Sequence, residues 1–145
     1  MKTLITVLFI VSLVISGCDI INPSSDNYFS SFSIETDKQI YTSNEKVEVI
    51  FKNDTSQRVL FTPCHTALKR LENDEWLDHS FMFCTTSARQ FYINIEPGEI
   101  FSHNVYRLSN NEPQGIYRVE FQLKDKLGIK LPLEKRVTPA LTLSD

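Results

Sequence analysis

Apolar residues recur every second position over most of this chain. Phe32 and Ile34 alternate with serines; Val47, Val49 and Phe51 alternate with Lys46, Glu48 and Lys52; Phe91, Ile93 and Ile95 repeat the pattern, as do Tyr117, Val119, Phe121 and Leu123. A period of two places successive side chains on opposite faces of an extended chain, so these runs predict strands with one face buried. Turn-forming residues separate them: Asn53-Asp54, Asn73-Asp74, Pro97-Gly98, Asn110-Asn111-Glu112-Pro113 with Gly115, and Gly128. The segment Thr66 to Leu77 has some helical character through Leu68, Leu71 and Trp76, but Thr66, Leu68 and Arg70 fit a strand running into the Asn73-Asp74 hairpin, which is the reading adopted. Ile129-x-Leu131-x-Leu133 suits a final strand, with Pro132 favouring an edge position.

Seven or eight short strands of this kind predict an all-β domain of two packed antiparallel sheets, an immunoglobulin-like sandwich over residues 32–145. An open barrel is the alternative, because periodicity does not reveal which strands share a sheet.

The pattern changes at the N-terminus. Lys2 precedes a nearly unbroken apolar stretch from Thr3 to Ile15, and Asp19 ends it. That length matches the apolar region of a secretory signal and falls short of the ~20 residues needed to span a bilayer. Ile15-Ser16-Gly17-Cys18 resembles the lipobox of bacterial lipoproteins. The resemblance implies removal of residues 1–17 and diacylglyceryl modification of the Cys18 thiol. It also implies attachment to a bacterial membrane on its extracytoplasmic side, since multiple acyl chains give stable anchoring. Asp19 resembles an inner-membrane retention signal of enterobacterial lipoproteins; inner and outer membrane both stay open. Residues 18–31, with Asn22-Pro23-Ser24-Ser25-Asp26-Asn27, read as a lipidated flexible tether.

With 15 Lys and Arg against 18 Asp and Glu, the chain is mildly acidic, and nucleic acid is a poor partner. Besides Cys18 there are two cysteines, Cys64 and Cys84, and in an exported domain they are expected to pair. Closing that loop gives roughly 3 kcal/mol in the chain-entropy model. A metal or redox use is the competing reading. The chain has no Cys-x-x-Cys, and His65 beside Cys64 points to the opposite face of an extended segment.

Tyr41-x-x-x-Glu45-x-Val47-x-Val49-x-Phe51-x-Asn53, then Leu71-x-x-x-x-Trp76, Ile95-x-Pro97-Gly98-Glu99 and Gly115-x-Tyr117-Arg118-Val119 together resemble immunoglobulin-like domains of bacterial envelope lipoproteins. A weaker similarity is to the bacterial intracellular proteinase inhibitor family. These positions have structural roles: Pro97-Gly98 suits a type II turn, and the Tyr117 hydroxyl can cap backbone in the manner of a tyrosine corner.

Signals for chemistry are sparse. There is no glycine-rich phosphate loop and no Gly-x-Ser-x-Gly elbow. His65, His79 and His103 are read as loop or surface residues; a copper site from His79 and Met82 would lack the longer His/Met pattern of copper-trafficking sandwiches. Glu72, Asp74, Glu75 and Asp78 lack the glycine and terminal glutamate of a calcium loop and read as a solvated hairpin; Asn53-Asp54-Thr55 reads as a turn. Phe81-Met82-Phe83, just before Cys84, is either a strand buried on both faces or, if held outward, an apolar contact patch for a partner. The expectation is a non-enzymatic, lipid-anchored envelope protein without cofactor or metal, whose domain binds another envelope protein or supports an assembly. The alternative is a membrane-presented proteinase inhibitor using Thr85 to Gln90 or the Phe81 segment.

Overall fold

The computed structural model describes residues 29–82 and 92–145, and they form an all-β sandwich of two sheets. Among the described residues there are nine strands: β1 (Phe32–Thr36), β2 (Ile40–Tyr41), β3 (Lys46–Asn53), β4 (Val59–Glu72), β5 (Glu75–Met82), β6 (Ile93–Ile95), β7 (Ile100–Arg107), β8 (Gly115–Lys124) and β9 (Leu141–Leu143). One sheet has the order β1-β3-β7; the other is β2-β9-β8-β4-β5, with β6 also paired to β4.

The period-two runs bury one face each. Val47, Val49 and Phe51 from β3 meet Tyr117, Val119, Phe121 and Leu123 from β8, all fully buried. Phe51 is the centre of this core, with its ring 5.0 Å from that of Phe61 and 5.1 Å from that of Phe121. Edge-to-face and tilted rings at such distances add to the area they remove from water.

The turns follow their sequence signals. Asn73 (φ 49°) and Asp74 (φ 65°) join β4 to β5 with Glu72 opposite Glu75, the two-residue loop with both central residues left-handed that matches strand twist. Glu99 N donates to the Glu96 carbonyl at 3.0 Å around Pro97 and Gly98 (φ 78°), as a type II turn requires. The Tyr117 hydroxyl donates to the carbonyl of Pro113, fixing the loop that enters β8. Asn53 closes β3 rather than sitting in a turn. It is fully buried, its amide donates to the carbonyls of Gln57 and Ile95, and its Oδ1 accepts from the Thr55 hydroxyl.

Four expectations need correction. The strands among the described residues number nine against about seven or eight expected, because β2 and β9 are too short to carry an alternation. The sheets are not wholly antiparallel: Ile40 and Tyr41 pair in parallel with Thr142 and Leu143. The last strand is Leu141–Leu143, not the Ile129 to Leu133 run; Ile129 and Leu133 are exposed, and Leu133–Lys135 is a 3-10 turn. Pro132 and Pro139 keep residues 131–138 from a regular ladder, yet this segment follows β8 through bonds from Leu131 N to Leu123 O, Phe121 N to Arg136 O and Thr138 N to Val119 O. Finally, Phe29, assigned above to the tether, is 3% exposed and belongs to the core, so the folded domain begins before residue 32. The signal segment and Cys18 lie outside the described residues.

Candidate functional site

The outer face of the β4-β5-β8 sheet is where exposed aromatic, charged and amide groups converge, and two irregularities of the ladder shape it. The first is in β4. Thr62 faces Gln122 and Ala67 faces Glu120, so Pro63-Cys64-His65-Thr66 bulges against a single residue of β8. Pro63 has no N–H to give to a ladder, and Thr66 Oγ1 donates back to its carbonyl at 3.0 Å. Cys64 turns inward at 1% exposure, while His65, at φ 65°, turns out.

The second irregularity is in β5. Leu68 pairs with Ser80 and Lys69 with Asp78, leaving His79 as the extra residue of a β-bulge. A bulge breaks strict alternation and re-aims side chains. His79 Nε2 meets the Glu112 carboxylate and its ring packs edge-on against Tyr117 at 5.5 Å, while Ser80 Oγ lies 2.6 Å from the Tyr106 hydroxyl. Neighbours thus both serve the interior side, tying β5 to β7 and to the loop before β8. The serine hydroxyl engages a tyrosine rather than the imidazole, so the geometry is a cross-sheet tie and not a nucleophile-base pair.

Outward from the sheet, Lys69 Nζ sits 2.6 Å from Asp78 Oδ1 and 3.4 Å from Glu120 Oε2, and Glu120 Oε1 accepts from Arg136 Nη1 at 2.7 Å. The hydrogen bond to Asp78 is the main cause that raises the Lys69 pKa above the ordinary lysine value, against the effect of burial. Burial alone would push Glu120 up, but the bonds from Arg136 and Lys69 outweigh it and hold the carboxyl below the usual glutamate range. Near neutral pH the group therefore consists of two cations and two anions. Beside it the Arg118 guanidinium lies over the Trp76 ring, 4.4 Å from its centroid.

A pocket of about 340 Å³ opens on this face. Ala67 and Lys69 line it from β4, Asp78 and Phe81 from β5, Glu120 and Gln122 from β8, and His65 from the bulge. Phe81 is 46% exposed at its rim. Met82, the next residue, instead lines a second cleft of about 250 Å³ with Val105, Tyr106 and Arg107. Adjacent strand residues face opposite ways, so Phe81 and Met82 belong to two surfaces rather than one patch. Phe83, Cys84 and the loop Thr85 to Gln90 lie outside the described residues.

The remaining candidates disperse. Glu72 pairs with Arg70 at 3.0 Å and Asp78 with Lys69, as in a solvated hairpin. His103 is on β7, stacked on Phe101 with ring centroids 6.1 Å apart. Among the described residues no cluster of three or more His, Cys, Asp or Glu could hold a metal ion. Lys69, Glu120, Gln122 and Arg136 were not singled out from sequence. The signal for three of them was present: polar residues at every second position between core residues of β4 and β8 mark a single face.

No family model matches the chain, and no curated protein does. Among solved structures the chain is similar to the sporulation control protein Spo0M from Bacillus subtilis, with 14% identity and a TM-score of 0.36. The match covers 79% of this chain, which spans about half (49%) of that protein.

Proposed function

We propose that this chain is a lipid-anchored protein of a bacterial cell envelope. Its immunoglobulin-like domain is a non-enzymatic binding module, and the face around Phe81 is its contact surface. The observation that carries the reading is the pocket itself: an exposed aromatic rim beside charges that neutralise one another. A lysine held above its ordinary range is a poor nucleophile, and a glutamate held below its range is a poor general acid near neutrality. Such groups are arranged for contact.

The immunoglobulin-like class is supported by the orders β1-β3-β7 and β9-β8-β4 and by the tyrosine at the start of β8 bonded to the preceding loop. The lipid anchor on Cys18 rests on the Ile15-Ser16-Gly17-Cys18 sequence and places the domain outside the cytoplasm. We further propose the Cys64–Cys84 disulfide. Thr66 faces Met82 in the β4-β5 ladder, and Cys64 and Cys84 are two residues along the sequence from this pair, so an unbroken ladder would bring them together. Cross-strand neighbours at ~5 Å between Cα atoms fit disulfide geometry.

The test is a photo-cross-linking amino acid placed at position 81 of the full-length protein in its native cells, compared with the same group at Leu127, which is exposed elsewhere. A reproducible membrane-fraction adduct, protein or glycan, formed from position 81 and not from position 127 supports the reading. Absence of any such adduct sinks it.

A further inference from the structure

Resting on the binding-face reading, we infer that the pocket between β4, β5 and β8 takes a neutral saccharide unit. Three properties of the pocket select that chemistry. The first is charge. Lys69 and Arg136 are matched by Asp78 and Glu120 through contacts of 2.6, 3.4 and 2.7 Å, so the site offers no surplus charge to an ionic ligand. An anion or cation entering it would lose hydration without a counter-charge in return.

The second is hydrogen-bonding variety. The carboxylates of Asp78 and Glu120 accept, the Lys69 ammonium donates, and the Gln122 amide does both, all around one pocket. Vicinal hydroxyls, each a donor and an acceptor, satisfy such a mixed set; a purely apolar side chain satisfies none of it.

The third is the wall. The Phe81 ring and the Ala67 methyl supply apolar surface beside these polar groups, the pairing that the C–H face and the hydroxyl edge of a pyranose present together. A volume of about 340 Å³ lies at the lower end of small-ligand sites and accommodates one or two sugar rings rather than a folded partner. Trp76, with Arg118 stacked on it, extends the same face two residues beyond Asp78 along β5 and offers the next platform.

Trp76 is the only tryptophan in the chain, so its fluorescence reports on this face. The full-length protein in detergent is titrated with glucose, N-acetylglucosamine and their β-1,4-linked dimers. The expected result is a saturable change for at least one sugar with a Kd of about 1 mM or tighter, as suits a site this small. Phe81→Ala and Gln122→Ala should each weaken binding by about tenfold while keeping the wild-type unfolding midpoint, and Leu127→Ala should leave it unchanged. No saturation with any of these sugars overturns the saccharide assignment. If a protein adduct nevertheless forms from position 81, the binding-face reading stands and the occupant is a polypeptide. If neither response occurs, both readings fall.

Discussion

Arg136 Nη1 lies 2.7 Å from Glu120 Oε1, and the same guanidinium donates through Nε to the carbonyl of Leu131 at 2.7 Å. One side chain, 8% exposed, thereby holds the irregular segment after β8 against the sheet and supplies the counter-charge that keeps Glu120 ionised in the pocket floor. Removing one partner of a nearly buried pair leaves the other uncompensated. Arg136→Ala should destabilise the domain by about 3 kcal/mol. Arg136→Met should lose less, since it restores apolar packing without the Nε bond. Urea denaturation of the two variants checks the order.

The amide of Asn53 links three strands' ends, bonding Gln57, Ile95 and Thr55 at a site with no exposure. Asn53→Ala would remove the donor to the buried Ile95 carbonyl and the acceptor of the Thr55 N–H and hydroxyl, while Thr55 Oγ1 and the Gln57 carbonyl keep their own bond of 2.8 Å. The expected loss is about 2 to 3 kcal/mol, read as a drop in urea midpoint without a change in slope.

Asp74 occupies the second left-handed position of the β4-β5 turn at φ 65°. Glycine adopts that conformation without the steric penalty of a side chain and is the preferred residue there. Asp74→Gly should stabilise the protein by about 0.5 kcal/mol, measurable as a raised thermal midpoint.

Burial of His103 against Phe101 and Phe61 lowers its pKa from the ordinary histidine value of 6.5, so the folded protein favours the neutral ring. The unfolded chain then binds the proton more readily. The contribution to stability is complete above pH 6.5 and is lost as pH falls through the folded-state value. A urea midpoint measured from pH 7.5 to 5 should decline, and His103→Gln should flatten the decline over that window. Glu120 acts in the same direction lower down, below 4.5, where its depressed carboxyl takes up a proton.

If Cys18 is acylated, Cys18→Ser should release the protein from the membrane fraction, since no other multiple-chain anchor is written in the sequence. Retention in the membrane fraction with the signal removed would refute the lipoprotein assignment.

Much of the candidate face was legible residue by residue without being legible as a face. The alternation in β8 told which of Arg118, Glu120 and Gln122 point away from Tyr117, Val119 and Phe121. It could not tell that Lys69 lies beside Arg118 and Ala67 beside Glu120, because register across β4 and β8 depends on a four-residue bulge that no local propensity announces. Phe81-Met82-Phe83 was picked out as apolar, either a strand buried on both faces or an outward contact patch. Strand geometry divides it, giving Phe81 to the outer pocket and Met82 to the cleft beside β7.

The alternating pattern by itself determined the all-β class, the positions of β1, β3, β6, β8 and the β4-β5 hairpin, and turns such as Asn73-Asp74 and Pro97-Gly98, because each follows from side-chain period or backbone φ within a few residues; β7 was not marked by it. Only the tertiary structure decided the parallel pairing of β2 with β9, the capture of Phe29 by the core, and the meeting of Lys69, Asp78, Glu120 and Arg136. Those depend on which segments compete successfully for the same buried surface and the same backbone partners. That competition is settled by the whole packed domain rather than by any window of the sequence.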